Sequence, residues 1–192
     1  MGRRPQPERR ADLLAACADE LLRGGLSELT LARLASAAGT SPRMLIYHFA
    51  TRDGLVIAAL QEARCRQREL FDGLLEPRPG VGYAVVLREA WAQMTAPDAR
   101  PYLRLFRELH DLPADRTPWA EFRTLSIADW LPIVEAGLLA DGRPDAKALA
   151  SALVACARGL FSDLDTTGDS YRTTAAWHAI VDLLARTPTR GG

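Results

Sequence analysis

The residues best suited to bind a charged partner lie close together between Leu29 and Arg52. Except for the thioether of Met44, their hydroxyl, imidazole and guanidinium groups are hydrogen-bond donors of the kind that contact phosphate oxygens and base edges. The candidates are Thr30, Thr40, Ser41, Arg43, Met44, Tyr47, His48 and Arg52. Such a concentration needs a local framework that turns these side chains toward one partner.

Two short helices joined by a tight turn are predicted around these residues. Thr30 can cap a helix that begins at Leu31, since apolar residues follow at three- and four-residue steps. Gly39 favours the end of this helix because glycine adopts the left-handed conformation without a Cβ clash. Ser41 offers a second cap and Pro42 suits the first helical position, so the next helix begins at once.

This arrangement predicts a helix-turn-helix that binds DNA. A helix fits the major groove of B-DNA, and the exposed N–H groups at its N-terminus attract phosphate. We expect Thr40, Arg43 and Met44 to approach base edges. The residues expected to hold phosphates are Thr30, Ser41, Tyr47, His48 and Arg52. The alternative is an αα-corner in a helical protein that touches no DNA.

The same stretch resembles a known family. A leading helical pattern is followed by LTLARLASAAGTS, YHF and TRDGL, and in this order the motifs resemble the amino-terminal domain of TetR family transcriptional regulators. The resemblance implies a DNA-binding head and a helical body with a ligand pocket. The chain departs from the family pattern in three places: the interval from Gly39 to Tyr47 is one residue longer, Ala50 replaces the usual Gly, and Arg52 replaces the usual Lys.

The composition is that of a globular protein. The chain has 192 residues, of which 48% are hydrophobic and 25% are charged, and its formal net charge is zero. Residues 1–54 hold eight arginines against six acidic residues, a mild excess where DNA would bind. No apolar run reaches the roughly 18 residues of a membrane span, and no signal peptide precedes the first helical pattern. The sequence predicts a cytoplasmic protein.

Every segment after the head has helical periodicity, so the predicted fold class is all-α. The pattern from Arg52 to Leu75 predicts one helix joining head and body, with Arg64, Arg66 and Arg68 outward. Further helices are expected at Glu8–Arg23, Val81–Thr95, Pro101–Leu112, from Pro118 with a kink or break at Pro132, at Asp145–Asp165 and at Ser170–Arg186. We divide the chain into a three-helix helix-turn-helix DNA-binding domain, residues 1–50, and a helical ligand-binding and dimerisation domain, residues 51–192.

Large side chains cluster on three successive helical patterns in the middle of the chain. They are Trp91, Met94, Tyr102, Phe106, His110, Trp119, Phe122 and Trp130. Rings that do not interdigitate leave concave space, and ligand pockets are mostly apolar with a few polar anchors. We therefore expect these residues to bind a small apolar or aromatic effector. The alternative is that these side chains only fill the hydrophobic core, since aromatic stripes at helical spacing are more often part of the core.

The last two helical patterns are apolar over more than one face and rich in small residues, which favours a two-fold dimer. The expected interface residues are Leu149, Leu153, Leu160, Trp177, Val181 and Leu184. A dimer would place two recognition helices on a near-palindromic site. The alternative is that both faces belong to the core of one monomer.

Other chemistry has little support. The segment from Asp163 begins like a calcium loop, but Thr174 stands where the bidentate Glu should be, so a turn between helices is the better interpretation. The three histidines and three cysteines have no metal-ligand spacing, and the cysteines are expected in the core. No nucleophile elbow or nucleotide-binding loop occurs. We expect no metal, no cofactor and no catalytic residues.

Together these patterns predict a ligand-responsive transcriptional regulator, a repressor, that binds a near-palindromic double-stranded DNA operator as a homodimer. The alternative is a helical small-molecule-binding or interaction protein that has lost specific DNA binding.

Overall fold

The computed structural model describes residues 6–112 and 120–186, and all regular structure within these ranges is helical. The helices are α1 Gln6–Gly24, α2 Leu31–Ala37, α3 Pro42–Phe49, α4 Arg52–Leu70, α5 Tyr83–Met94, α6 Arg100–Asp111, α7 Ala120–Ala128, α8 Leu131–Ala140, α9 Ala146–Thr167 and α10 Ser170–Arg186. The predicted all-α class is therefore confirmed. None of these helices is long and apolar enough to cross a membrane.

The start of each head helix is set by a local cap. The Thr30 hydroxyl accepts from the Arg33 amide at 3.2 Å, and the Ser41 hydroxyl accepts from the Met44 amide at 3.3 Å. Between them Gly39 has φ +57°, where a Cβ would clash with the backbone. The helix bounds predicted around the turn are thus observed.

Two hydrophobic cores organise the chain. The first lies between α1, α2, α3, the N-terminal part of α4, and α6. The second lies between α5, α8, α9 and α10. Helix α4 is covered along most of its length, since between Gly54 and Gln67 only Gln61 and Cys65 are exposed.

Helix α4 departs from its prediction in two ways. It ends at Leu70 rather than Leu75, because Phe71 caps it and Gly73 at φ +69° turns the chain. Arg64, predicted to point outward, is only 6% exposed. The helical period predicted that Arg64 faces solvent, but the surrounding helices cover this face of α4.

The pattern after residue 118 is divided into α7 and α8, with Pro132 in the first turn of α8, where proline is tolerated. Gly137 lies inside α8 against the ring of Tyr83, where no side chain would fit. Of the cysteines, Cys17 is buried as expected, whereas Cys65 and Cys156 are exposed, so the core prediction is wrong for these two.

The segment considered as a calcium loop is the end of a helix. Helix α9 continues to Thr167, and Gly168 ends it at φ +70°. The Asp163 carboxylate accepts from both terminal nitrogens of Arg172 at 2.7 Å. Its oxygens therefore hold the α9–α10 hairpin together.

A γ-turn joins α3 to α4. Its central residue, Ala50, has φ +65° and ψ −50°, and the Thr51 amide donates to the Phe49 carbonyl at 2.8 Å. This conformation is rare and strained for a residue with a Cβ. The family pattern has glycine at this position, so the chain carries strain that its resemblance did not predict.

Ala50→Gly should raise the free energy of unfolding by about 1 kcal/mol, because relief of the left-handed strain exceeds the extra entropy that glycine loses on folding. Chemical denaturation would measure the change. Ala136→Gly, in the exposed middle of α8, is the matched control and should lower stability by about 0.5–1 kcal/mol. A loss of stability at both positions would contradict the strain at Ala50.

Candidate nucleic-acid interface and internal cavity

Helix α3 presents one face to solvent and the other to the first core. Leu45 and Phe49 are buried, whereas Arg43 is exposed, Met44 is 42% exposed and Tyr47 is 67% exposed. Met44 therefore points outward rather than into the core. The outward face combines a cation, a flexible apolar side chain and a phenol, which are groups that can contact base edges and phosphates.

The other predicted head residues lie around the N-termini of α2, α3 and α4. Thr30 and Ser41 are exposed caps, and Thr40 is half-buried in the turn. Arg52 is exposed and donates to the Leu29 carbonyl at 3.4 Å, which brings the start of α4 beside the start of α2. Helix N-termini attract phosphate. The side chains and these N-termini are available to one extended anionic partner.

Contacts from α1 hold α3 in place, and sequence reasoning missed them. The guanidinium of Arg10 lies 4.7 Å from the ring centroid of Phe49, and its Nε donates to the His48 carbonyl at 3.4 Å. At the other end of α1 the buried carboxylate of Glu20 pairs with Arg23 and Arg33. These ion pairs fix α2 on α1, so the outward face of α3 is held in a defined orientation.

The body contains a cavity of about 390 Å³. Five residues predicted to bind an effector line it: Trp91, Met94, Phe106, His110 and Trp130. Much of the remaining wall is apolar and comes from the second core, for example Leu87, Val134 and Leu153. A mostly apolar wall with a few polar groups is typical of small-molecule sites.

Two of the other residues predicted for the effector lie elsewhere. Tyr102 and Phe122 do not line the cavity but pack against the first core, where Phe122 stacks on Phe106 with ring centroids 6.2 Å apart. They lie on the far side of α6 and α7, which the helical period alone did not distinguish. Trp119 lies outside the described residues.

The main polar group of the cavity is Arg64, which sequence reasoning placed in solvent. Its guanidinium donates to Gln67 Oε1 at 2.5 Å and to Asp129 Oδ2 at 3.2 Å, and lies 4.7 Å from the ring centroid of Trp130. Burial lowers the pKa of Arg64, and the hydrogen bond that its guanidinium donates to Asp129 opposes this shift. The buried Nε has no hydrogen-bond partner among the described residues, which costs about 1–3 kcal/mol.

His110 is the second polar group of the cavity wall. Its Nε2 lies 2.9 Å from the Ser126 hydroxyl, and that hydroxyl donates to the Arg123 carbonyl at 2.8 Å. Since the hydroxyl has one proton, this pattern assigns the histidine proton to Nε2. Burial and the charges of Arg158 and Arg123 lower the pKa of His110 to about 4, so the imidazole is neutral at pH 7.

The residues predicted for a dimer interface divide into two groups. Leu153, Trp177 and Val181 are buried in the second core, so their assignment to an intersubunit surface is wrong. Trp177 also lines the cavity, and its indole N–H donates to the Leu87 carbonyl at 3.0 Å. Both faces of α9 and α10 are apolar, and the periodicity did not show which face the monomer uses. The half-buried members are Leu149, Leu160 and Leu184.

Comparison with known proteins identifies the head. Residues 13–59, from α1 into α4, match the family model described as bacterial regulatory proteins, tetR family. The head of the chain is therefore a DNA-binding helix-turn-helix domain of this family. No curated protein sequence matches the chain.

Solved structures share the fold over the whole chain. A transcriptional regulator from Rhodococcus sp. has a TM-score of 0.78 and 23% identity, covering 98% of this chain and 100% of the other. A TetR-family member from Streptomyces coelicolor has a TM-score of 0.67 and 28% identity, covering 92% and 98%. The multidrug binding protein EbrR, complexed with imidazole, has a TM-score of 0.68 and 25% identity, covering 98% and 95%.

Helix α6 joins the cavity to the head. Phe106 and His110 face the cavity, whereas Arg104 donates to the Leu22 and Arg23 carbonyls at 2.8 and 2.9 Å. Glu108 accepts from the Leu26 amide at 2.7 Å. These two side chains satisfy backbone groups just at and beyond the end of α1, so movement of α6 would be felt by the head.

Stability should fall as the pH is lowered from 7 to 5, in part because of His110. Its pKa is about 4 in the fold against 6.5 for an ordinary histidine, so in this window the unfolded chain binds a proton that the folded chain does not. His110→Gln should narrow the difference in melting temperature between pH 7 and pH 5. Equal differences in the two proteins would show that the imidazole is not held neutral, since all other titrating groups are common to both.

Proposed function

We propose that the chain is a ligand-responsive repressor that binds a near-palindromic operator as a homodimer. The observation that carries this proposal is the outward face of α3, where Arg43, Met44 and Tyr47 are exposed on a helix whose other face is buried in the first core. An all-α body with a cavity lies on the same chain. DNA is the partner, so we place the protein in the cytoplasm.

Recognition of base edges and binding of phosphates are assigned to different side chains. Arg43, with Thr40 and Met44, reads base edges, because an arginine near the N-terminus of a recognition helix can bind guanine with two hydrogen bonds. Phosphates are held by Thr30, Ser41, Tyr47, His48 and Arg52, around the helix N-termini. The exposed thioether of Met44 suits an apolar contact with a thymine methyl group.

Arg43→Ala should weaken binding to the preferred site by about 1–3 kcal/mol and relax its sequence preference. Arg52→Ala should weaken binding to all sequences and lower the salt slope by about one phosphate. Retardation assays with DNA from upstream of the chain's own gene and with scrambled DNA, at several salt concentrations, would measure both.

Arg100→Ala is the matched control, since it removes the same charge from an exposed site at the start of α6. It should leave the ratio of specific to non-specific binding unchanged. If the wild-type protein binds both DNAs equally and weakly, the alternative of a helical protein without operator recognition is correct.

A homodimer is proposed because one recognition helix reads few base pairs, and two-fold pairs meet half-sites about one helical turn apart. We place the interface on the outward faces of α9 and α10, beside Leu149, Leu160 and Leu184. Small exposed residues on these faces allow close helix packing, among them Ala148, Ala152, Ala175 and Ala179. Two antiparallel helices from each subunit would form a four-helix bundle.

Ala179→Glu and Ala152→Glu should each produce monomers, because a pair of symmetry-related carboxylates would be buried between subunits. Sedimentation velocity would measure the mass of each variant, with circular dichroism to confirm folding. Ala136→Glu on the exposed face of α8 is the control and should stay dimeric. Folded, dimeric Glu variants at both positions would rule out this interface.

We further propose that an effector in the cavity controls DNA binding through α4 and α6. Both helices line the cavity and both contact the head, α4 by continuing from α3 and α6 through Arg104 and Glu108. An effector shifts the balance between two conformations only by its difference in affinity for them, typically about 1–3 kcal/mol of coupling. In a repressor, binding of the effector should lower the affinity for the operator.

A further inference from the structure

We propose that the cavity selects an organic anion, a carboxylate with an aromatic or alkyl body, and binds its head group through Arg64. This inference rests on the proposed ligand function of the same cavity and adds the chemical class of the effector.

The first observation is a buried donor in the cavity wall. Arg64 is 6% exposed, and its Nε is a buried N–H without a hydrogen-bond partner in the part of the chain that the structure describes. Its terminal nitrogens already contact Gln67 and Asp129. A carboxylate oxygen is the strongest partner for the remaining N–H, because the hydrogen bond is charge-assisted on both sides.

The second observation is the set of charges that faces the cavity. Three arginines line it, Arg64, Arg107 and Arg158, against one carboxylate, Asp111. Asp111 pairs with Arg107 at 3.1 Å, and Asp165 pairs with the same guanidinium at 2.7 Å. Arg158 forms no ion pair with any described residue. His110 adds no charge of its own. Since Asp129 pairs with Arg64, and Asp111 and Asp165 pair with Arg107, the exposed guanidinium of Arg158 is the cation of the cavity wall that no described carboxylate balances.

The third observation argues against a cationic ligand. Cations bind the faces of aromatic rings, but the face of Trp130 already carries the Arg64 guanidinium. Trp91 is stacked between Phe161 at 4.8 Å and Trp177 at 5.3 Å, centroid to centroid, so both of its faces are covered. No carboxylate among the described lining residues is left unpaired to compensate a second cation.

The rest of the wall suits an apolar body. Leu75, Leu87, Val134 and Leu153 belong to the second core and line the same cavity. Burial of the apolar body of a ligand against these residues contributes affinity but does not orient the ligand. Its head group fixes the orientation, because hydrogen bonds are directional. The ligand is therefore amphipathic, with the anion toward α4 and the body among α5, α8 and α9.

Three probes of matched size test the sign of the charge: 4-phenylbutyrate, 4-phenylbutanamide and 4-phenylbutylamine. Isothermal titration calorimetry on the full chain would give the three affinities, with tryptophan fluorescence as a second signal because Trp91, Trp130 and Trp177 line the cavity. The carboxylate should bind at least about tenfold more tightly than the amide, and the amine more weakly still.

Arg64→Gln should abolish this preference, Arg64→Lys should restore part of it, and Arg68→Gln, exposed on the same helix, should leave it unchanged. The inference would be overturned if the wild-type protein bound all three probes with equal affinity, or if it did not bind the carboxylate at millimolar concentration. Both results come from the wild-type protein, so they do not require that any variant folds. A preference that survives in folded Arg64→Gln would overturn the role of Arg64.

Operator affinity measured in the same samples separates this inference from the proposed function. If the carboxylate is preferred but operator binding does not change, the ligand class stands and the regulatory role fails. If all three probes bind equally and weaken operator binding, the regulatory role stands and the selection of anions is wrong.

Discussion

The burial of one guanidinium group, that of Arg64, is the constraint on which the body of the structure depends. A cation taken out of water must be compensated by a carboxylate, by hydrogen bonds and by polarizable rings. Asp129 and Trp130 supply two of these at the break between α7 and α8, and Gln67 supplies a third from one turn further along α4. The break in the helical pattern is therefore where α4 is attached to the body. One N–H of this guanidinium, that of Nε, has no hydrogen-bond partner among the described residues.

The same helix limits how the head can move. Helix α4 contributes buried residues to the first core at its N-terminal end and polar groups to the cavity at its other end. Helix α6 makes a second connection, since its cavity face and its head face lie on opposite sides of one helix. Because packed helices shift between discrete arrangements rather than deform smoothly, two connections of this kind couple the two ends of the molecule.

Local chemistry was predictable from the sequence, and long-range packing was not. Thr30, Gly39 and Ser41 act through neighbours three residues away at most, so their roles follow from residue type and spacing. Arg64 depends on Asp129, 65 positions along the chain, and periodicity treats any arginine as solvent-facing. Trp177 was assigned to the wrong face for a related reason, since a helix that is apolar all round does not indicate which side the monomer covers first.

The γ-turn at Ala50 leaves only two residues, Ala50 and Thr51, between α3 and α4, so α3 has no flexible linker to α4. Helix α4 has 19 residues and is therefore about 28 Å long. A tilt of about 5° about its C-terminal end moves its N-terminal end by about 2.5 Å, and α3 with it. In a two-fold pair the two displacements add to about 5 Å, which exceeds the rise of one base pair, about 3.4 Å. A tilt of a few degrees would thus be enough to place the second head between base pairs when the first is in register.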